Sequence, residues 1–272
     1  MAVITTQQIT KYYTLYKNIE ITFTKEIIKA IGLITQQIFL KCLGDYWPCI
    51  IYSSSMTEAK VIANLDAPSF EKIRKANNLV SLRFSFKKND KANNPLTFFV
   101  AAKVTGFSPY KQDNRSLNFI NLSYTNRPPD DLIEILGTLL EVNINSKKRK
   151  EERILITQES MRRLKIKSKE VEVLIQEVPR KGILRDLSFS GAKIIVLGIG
   201  KFIVNKEAVL KIELEEQRKV FKLRGKVIRY EPVESRKDLS AIVILFHEQS
   251  IPLDYKMLIN DYLIMSKKTM ES

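Results

Sequence analysis

Two short stretches of this 272-residue chain hold the residues best suited to chemistry. The first, Lys147-Lys148-Arg149-Lys150-Glu151-Glu152-Arg153, carries two arginines four positions apart. The second, Asp186-Leu187-Ser188-Phe189-Ser190-Gly191, follows directly on the apolar segment GILR. A guanidinium is a planar fork of donors that matches phosphate oxygens or the acceptor edge of a base, and it can also stack on a ring. Lysine supplies charge but neither the fork nor the plane. Aspartate accepts from N–H donors or fixes an arginine, serine is a small donor and acceptor, and glycine lets backbone approach closely. Taken singly, each stretch has a plainer reading. KKRKEER is also what a solvated linker or a nucleic-acid anchor looks like. DLSFSG is also an ordinary turn whose Asp186 and Ser188 bond nearby backbone.

Other chemistries are poorly supplied. His247 is the sole histidine and lies in the apolar run AIVILFHEQ, which excludes histidine triads and multi-histidine metal sites. There is no GxxxxGK[ST] loop, no GxGxxG element and no carboxylate pair placed for acid–base work. The expectation is a protein without catalysis, metal or cofactor. Cys42 and Cys49 have no second pair and read as reduced thiols of a cytoplasmic protein. No apolar run reaches the roughly 18 residues that span a bilayer, and MAVITTQQITKYY lacks the form of a signal peptide, so neither membrane insertion nor export is expected. The net charge of +15 is uneven. Residues 1–145 hold 17 basic and 12 acidic side chains, and residues 146–272 hold 28 and 18. Such an excess attracts nucleotides, nucleic acid or acidic protein surfaces without choosing among them.

The rest of the chain must position these residues, and most of it reads as short β-rich segments between turn residues. Strands are expected near IEITF, IFLKCL, CIIYSS, KVIANL, LVSLRFSF, LTFFVAAKVTGF and LNFINLSY, then near RILIT, EVEVLIQEV, GILRDLS, AKIIVLG, AVLKIEL, VFKLRGKVIRYE and SAIVILF. Helices are expected at Thr5–Tyr16 and Ser69–Ala76, with KKNDKANNP as a loop. Residues 103–140 can be laid on residues 226–263 without a gap, at an offset of 123 that puts Leu122 on Leu245, Pro129 on Pro252 and Asp131 on Asp254. Each half therefore ends in two strands and a helix, the first with a stripe of Leu132, Ile135, Leu136, Leu139 and Leu140. The polar stretch NINSKKRKEER reads as the linker, giving domains 1–145 and 146–272.

RxxxR followed by DxSxxG, within a barrel pattern, resembles the signature of the PilZ domain family. The resemblance covers roughly residues 147–265, and the two-domain layout is similar to the spirochaetal PlzA-type members. It implies a mainly β fold of two tandem PilZ-like barrels, each closed by a C-terminal helix, with additional N-terminal helices. It further implies a cyclic-di-GMP receptor that regulates processes such as motility or gene expression, and arginines on the linker facing polar residues on the barrel wall predict that binding changes the interdomain arrangement. By the same resemblance Arg149 and Arg153 clamp guanine and phosphate, Lys148 adds a phosphate contact, Asp186 and Ser188 supply polar contacts, and Gly191 keeps the surface open. Many members carry glycine at both of the last two positions, whereas this chain has Ser190 before Gly191. Whether one nucleotide or a stacked pair binds is left open. The first half lacks both motifs, its Arg74, Arg83, Arg115 and Arg127 being scattered. It reads as a degenerate barrel offering a surface to a protein partner. A basic nucleic-acid-binding protein of two barrels is the competing reading.

Overall fold

A computed structural model of the chain describes residues 5–87, 94–111, 114–198, 200–215, 219–233 and 236–270. The chain divides into two compact units, Met1–Leu140 and Glu141–Ser272. In the first, order along the chain is α1 (Thr6–Tyr16), β1 (Ile21–Thr22), α2 (Lys25–Ile31), β2 (Phe39–Cys42), β3 (Asp45–Ser54), β4 (Glu58–Asn64), α3 (Ala67–Lys75), β5 (Leu79–Phe86), β6 (Leu96–Lys111), β7 (Asn114–Tyr124) and α4 (Asp130–Lys148). Strands pair antiparallel in the order β3-β2-β5-β6-β7-β4, and β4 returns to pair with β3, so six strands close a barrel and β1 adds to β3. Closure leaves the ring without free edges. Inward side chains such as Leu40, Ile51, Val61, Leu82, Phe84, Ile120 and Leu122 fill it.

The second unit repeats the plan with β8 (Ile154–Leu155), α5 (Gln158–Leu164), β9 (Glu170–Ile175), β10 (Val178–Leu187), β11 (Gly191–Leu197), β12 (Glu207–Glu213), β13 (Val220–Val233), β14 (Arg236–Phe246) and α6 (Leu253–Met270). Its ring is β10-β9-β12-β13-β14-β11, closed by β10–β11, with β8 added to β10. Alternation dictates which face is buried: Val171, Val173 and Ile175 of β9 point inward while Glu170 and Glu172 face solvent. Tyr255, Ile259 and Leu263 carry α6 onto this core. Fully burying each such side chain is worth about 1.5–3 kcal/mol. Two barrels with closing helices and extra N-terminal helices were the architecture expected.

A likeness between the units that the sequence hid runs at an offset of 133. Helices α2 and α5 occupy equivalent positions, start from Thr24 and Thr157 as N-caps, and stop at Gly32 and Lys165 in left-handed conformation. The two-residue hairpins Leu43–Gly44 and Gln176–Glu177 coincide, each with positive φ at both residues. So do the β-bulges between Ile51 and Ser53 and between Leu184 and Asp186.

Several expectations need correction. EVEVLIQEV is not one strand, because the chain reverses at Gln176–Glu177. Helices α2 and α5 were not expected. NINSKK is not linker but the last turns of α4, which runs to Lys148. The buried α4 stripe uses Ile133 in place of Ile135. The gap-free repeat slips by one residue in its second strand, since Leu122 is 1% exposed and Leu245 is 42% exposed. Leu122 pairs with Ala59 as Ile244 pairs with Ala192. Residues 88–93 of the KKNDKANNP loop lie outside the described residues.

Candidate functional site

The two motifs meet in the second barrel. Helix α4 ends at Lys148, exposed in its last turn, and the chain then turns through Arg149–Glu152. In that turn Arg149 N–H donates to the Asn145 carbonyl at 2.8 Å, and Glu152 N–H donates to the Arg149 carbonyl at 3.1 Å. Arg153 leads straight into β8, whose Ile154 and Leu155 pair with Leu187 and Asp186 of β10. This pairing is what sets the arginine turn beside the Asp186–Gly191 turn.

Arg153 Nη1 lies 2.5 Å from Asp186 Oδ1. The aspartate side chain is 9% exposed and the arginine 32%, so the pair is partly screened from water. Asp186 stands just past the β-bulge that follows Leu184, a device that re-aims a side chain on a barrel wall. Arg149 behaves differently. Its Nε is 3.9 Å from the Glu152 carboxylate, too long for a hydrogen bond, and its Nη1 is buried with no hydrogen-bond partner among the described residues. A buried guanidinium nitrogen with nothing to donate to is costly, and an acceptor arriving beside it would relieve that cost.

Ser188 is fully buried, and its hydroxyl is spent on the turn. It accepts from Gly191 N–H at 3.0 Å and from Ser190 N–H at 3.3 Å. The Ser188 carbonyl accepts from Tyr255 Oη at 2.7 Å, tying α6 to the same turn. Burial pushes the Tyr255 phenol well above its ordinary pKa, so it stays a donor. Gly191 packs against β14, where a Cβ would come within 2.4 Å of the Ile244 carbonyl oxygen. The glycine is thus required by the barrel itself. Lys148, Arg149, Arg153, Asp186, Ser188 and Gly191 therefore share one corner of the unit, with Arg149, Arg153 and Asp186 presenting charge and Ser188 and Gly191 shaping the wall.

Lys193, Glu231 and Tyr255 lie outside both motifs and still reach this corner. Lys193 donates to Glu231 at 2.5 Å beside this corner, and that bond, with Arg153 a smaller influence, lowers the Glu231 pKa. Tyr255 touches the site only through the fold, so no local pattern announces it, whereas Ser190 lies inside the motif and only its bond to the Lys150 carbonyl was hidden. Among the described residues, no three His, Cys, Asp or Glu side chains are grouped to hold a metal, and no helix is long and apolar enough to cross a membrane.

The first barrel keeps the frame and changes the chemistry. Ser55 stands for Ser188 and accepts from Thr57 N–H at 3.1 Å and Glu58 N–H at 3.0 Å. Ser53 stands for Asp186, Glu20 for Arg153, Tyr16 for Arg149 and Glu58 for Gly191. Ser53 donates to Glu20, a neutral-to-acid contact where the second barrel has an ion pair.

Residues 7–143 match the PilZN3 domain and residues 147–264 the PilZ domain. A curated protein of Treponema denticola described as a cyclic di-GMP binding protein is 45% identical over 268 residues, covering 98% of this chain and 85% of that one. Among solved structures, Borreliella burgdorferi PlzA in complex with c-di-GMP is 27% identical, covering 94% of this chain and 98% of that one, with a TM-score of 0.41. By the two domain matches and the extent of the Treponema similarity, the chain belongs to the PilZ family, with a PilZN3 domain followed by a PilZ domain.

Proposed function

We propose that this protein is a non-catalytic receptor for cyclic-di-GMP, which binds where the arginine turn faces the Asp186–Gly191 turn. Arg149 and Arg153 clamp guanine edge and phosphate, and Lys148 adds charge for a phosphate. Asp186 accepts from guanine N–H groups or holds Arg153, while Ser188 and Gly191 form the wall. The observation that carries this reading is the buried, unpartnered Arg149 Nη1 in the same corner as an arginine already aligned by Asp186. The Treponema relative's description as a cyclic di-GMP binding protein supports it. The test is calorimetric titration with cyclic-di-GMP beside GTP and cyclic-di-AMP. Saturation by cyclic-di-GMP alone is expected, and its stoichiometry separates one nucleotide from a stacked pair. Equal response to all three would defeat the reading.

The receptor acts in the cytoplasm, in keeping with its free thiols Cys42 and Cys49, and its output reaches motility or gene expression. The signal leaves as a narrowed set of interdomain arrangements, because the arginines follow directly on α4, which begins at Asp130. Solution scattering that is identical with and without ligand would dismiss that step. The first barrel, whose equivalent corner carries Glu20 and Glu58, offers its surface to a protein partner.

A second reading draws on the net charge of +15 and on Lys60, which lies 4.6 Å from the Phe119 ring and 5.8 Å from Tyr52 on the first barrel. A lysine over partly exposed aromatics suits single-stranded nucleic acid. Binding of that kind weakens steeply with salt, whereas a compact nucleotide site depends on base identity.

A further inference from the structure

We infer that Ser190 is a positioning residue for the ligand site: its hydroxyl tethers the arginine turn in the ligand-free protein. The inference rests on the cyclic-di-GMP reading above and assigns a role that the nucleotide contacts do not cover. Ser190 is 4% exposed, so its hydroxyl is not available to solvent. It donates to the carbonyl of Lys150 at 2.8 Å. Lys150 lies between Arg149 and Arg153, so this bond holds the backbone from which both guanidinium groups project. At the same time Ser190 N–H donates to Ser188 Oγ, and its carbonyl accepts from Phe246 N–H at 2.7 Å. One residue thus joins the arginine turn to the rigid wall of the barrel.

Without that bond, what remains to hold Lys150 is weak. Its ammonium meets Glu248 at 3.3 Å with the two side chains 47% and 67% exposed, a pairing worth little. Among the described residues, no backbone N–H of the Ser188–Gly191 turn shares the Lys150 carbonyl.

The first barrel supplies an independent copy of the device. Thr57, the equivalent of Ser190, donates to the carbonyl of Lys17, the equivalent of Lys150, at 3.3 Å. There the Met56 N–H also donates to that carbonyl, at 3.1 Å. A hydroxyl at this place recurs although the residues on either side have changed, and in the second barrel it acts without the backbone donor. A turn held in the binding geometry before the ligand arrives avoids the ordering cost that a loose turn would meet on binding. Ligand affinity therefore depends on the fraction of molecules with the tether closed.

The test compares the full chain with Ser190→Ala and Ser190→Thr. Cyclic-di-GMP affinity is read by calorimetry, and amide hydrogen exchange of residues 149–153 is read without ligand. Loss of one hydrogen bond should weaken Ser190→Ala about 2- to 10-fold. Exchange in that segment should rise while exchange in β10, β11 and β14 stays as before. Ser190→Thr keeps the hydroxyl and should recover both readouts. A general loss of stability would raise exchange throughout the barrel, and affinity would not track the hydroxyl. Unchanged affinity and exchange in Ser190→Ala overturns the tether, as does Ser190→Thr behaving like Ser190→Ala. If Ser190→Ala does not fold, Ser190→Gly, which removes the hydroxyl and adds no atom, takes its place and is held to the same two outcomes. Absence of saturable binding in the unmodified protein removes the site itself, a result distinct from failure of the tether.

Discussion

Gly191→Ala separates two roles that a glycine in this position can have. If it only lets ligand approach, the substitution should cost binding and leave the barrel as stable as before. The structure assigns it a second duty, because the added Cβ would stand 2.4 Å from the Ile244 carbonyl oxygen, with the Ile244 carbonyl carbon at 3.5 Å and Leu245 Cα at 3.7 Å. All three atoms are backbone of β14, and none can swing aside as a side chain would. Relief requires β11 and β14 to separate by most of an ångström where Gly191 pairs with Leu245 and Phe246 N–H donates to Ser190. Overpacking of this kind costs about 1–3 kcal/mol. With a urea slope of about 2 kcal/mol/M, the midpoint should fall by about 0.5–1.5 M. Gly106→Ala is the control: its Cβ would meet only the Asn121 side-chain nitrogen at 3.3 Å, and a change within about 0.5 kcal/mol is expected. The assay is urea unfolding followed by circular dichroism, with nucleotide titration of each folded variant. A Gly191→Ala midpoint equal to that of the unmodified chain would refute the argument from the β14 contact.

Arg149→Ala and Arg153→Ala should each weaken cyclic-di-GMP binding about 5- to 150-fold, the effect of losing about 1–3 kcal/mol in a bidentate contact. Circular dichroism should be unaltered in both, and full affinity in the double variant would remove the proposed site. Tyr255→Phe keeps the edge contacts with Phe221 and Phe246 but leaves the Ser188 carbonyl without its donor. It should destabilise the second barrel by about 1–3 kcal/mol in urea unfolding, and no loss would show that the phenol is idle. Burial pushes the Cys49 thiol up to about 12 and raises Cys42 as well, so at pH 8 neither holds appreciable thiolate. Both should react with a disulfide reagent only after denaturant is added, and rapid reaction in native buffer would contradict that burial.

The candidate corner was legible because its signal is local. Arginines four apart and a DxSxxG turn survive as letters whatever surrounds them, and the structure brings the two turns together through Arg153–Asp186 and Lys150–Ser190. What stayed hidden has a physical cause in each case. The last turns of α4, Asn143–Ser146, have no apolar face to mark a helix; they continue one already begun and end in Lys147 and Lys148, which suit its C-terminal dipole. The hairpin at Gln176–Glu177 adopts positive φ without glycine or asparagine, the residues that usually announce it. Helices α2 and α5 did carry start signals, Thr24 and Thr157 with Glu26 and Glu159 in the first turn, but each is only seven residues long. The slip in the repeat was invisible since Leu122 and Leu245 are the same residue on opposite faces. The Tyr255 bond joins positions 67 apart and leaves no trace in either neighbourhood.

That slip has a consequence for how the chain folds. Tandem domains of one topology are prone to exchanging equivalent strands before either is complete. The paired Pro109 and Asn118 stand nine positions apart in the first hairpin, whereas Pro232 and Ser240 stand eight apart in the second. A nascent β6 that captured β14 at its own spacing would turn Leu245 inward and Ile244 out, and every side chain along the strand would change face with them. Ala241, Val243 and Leu245 would be asked to fill a core built around Ile120 and Leu122. The mismatch works as a key cut one notch differently for each lock. It penalises the crossed pairing at the stage when hairpins form, so two barrels of common plan can fold side by side in one polypeptide without trading parts.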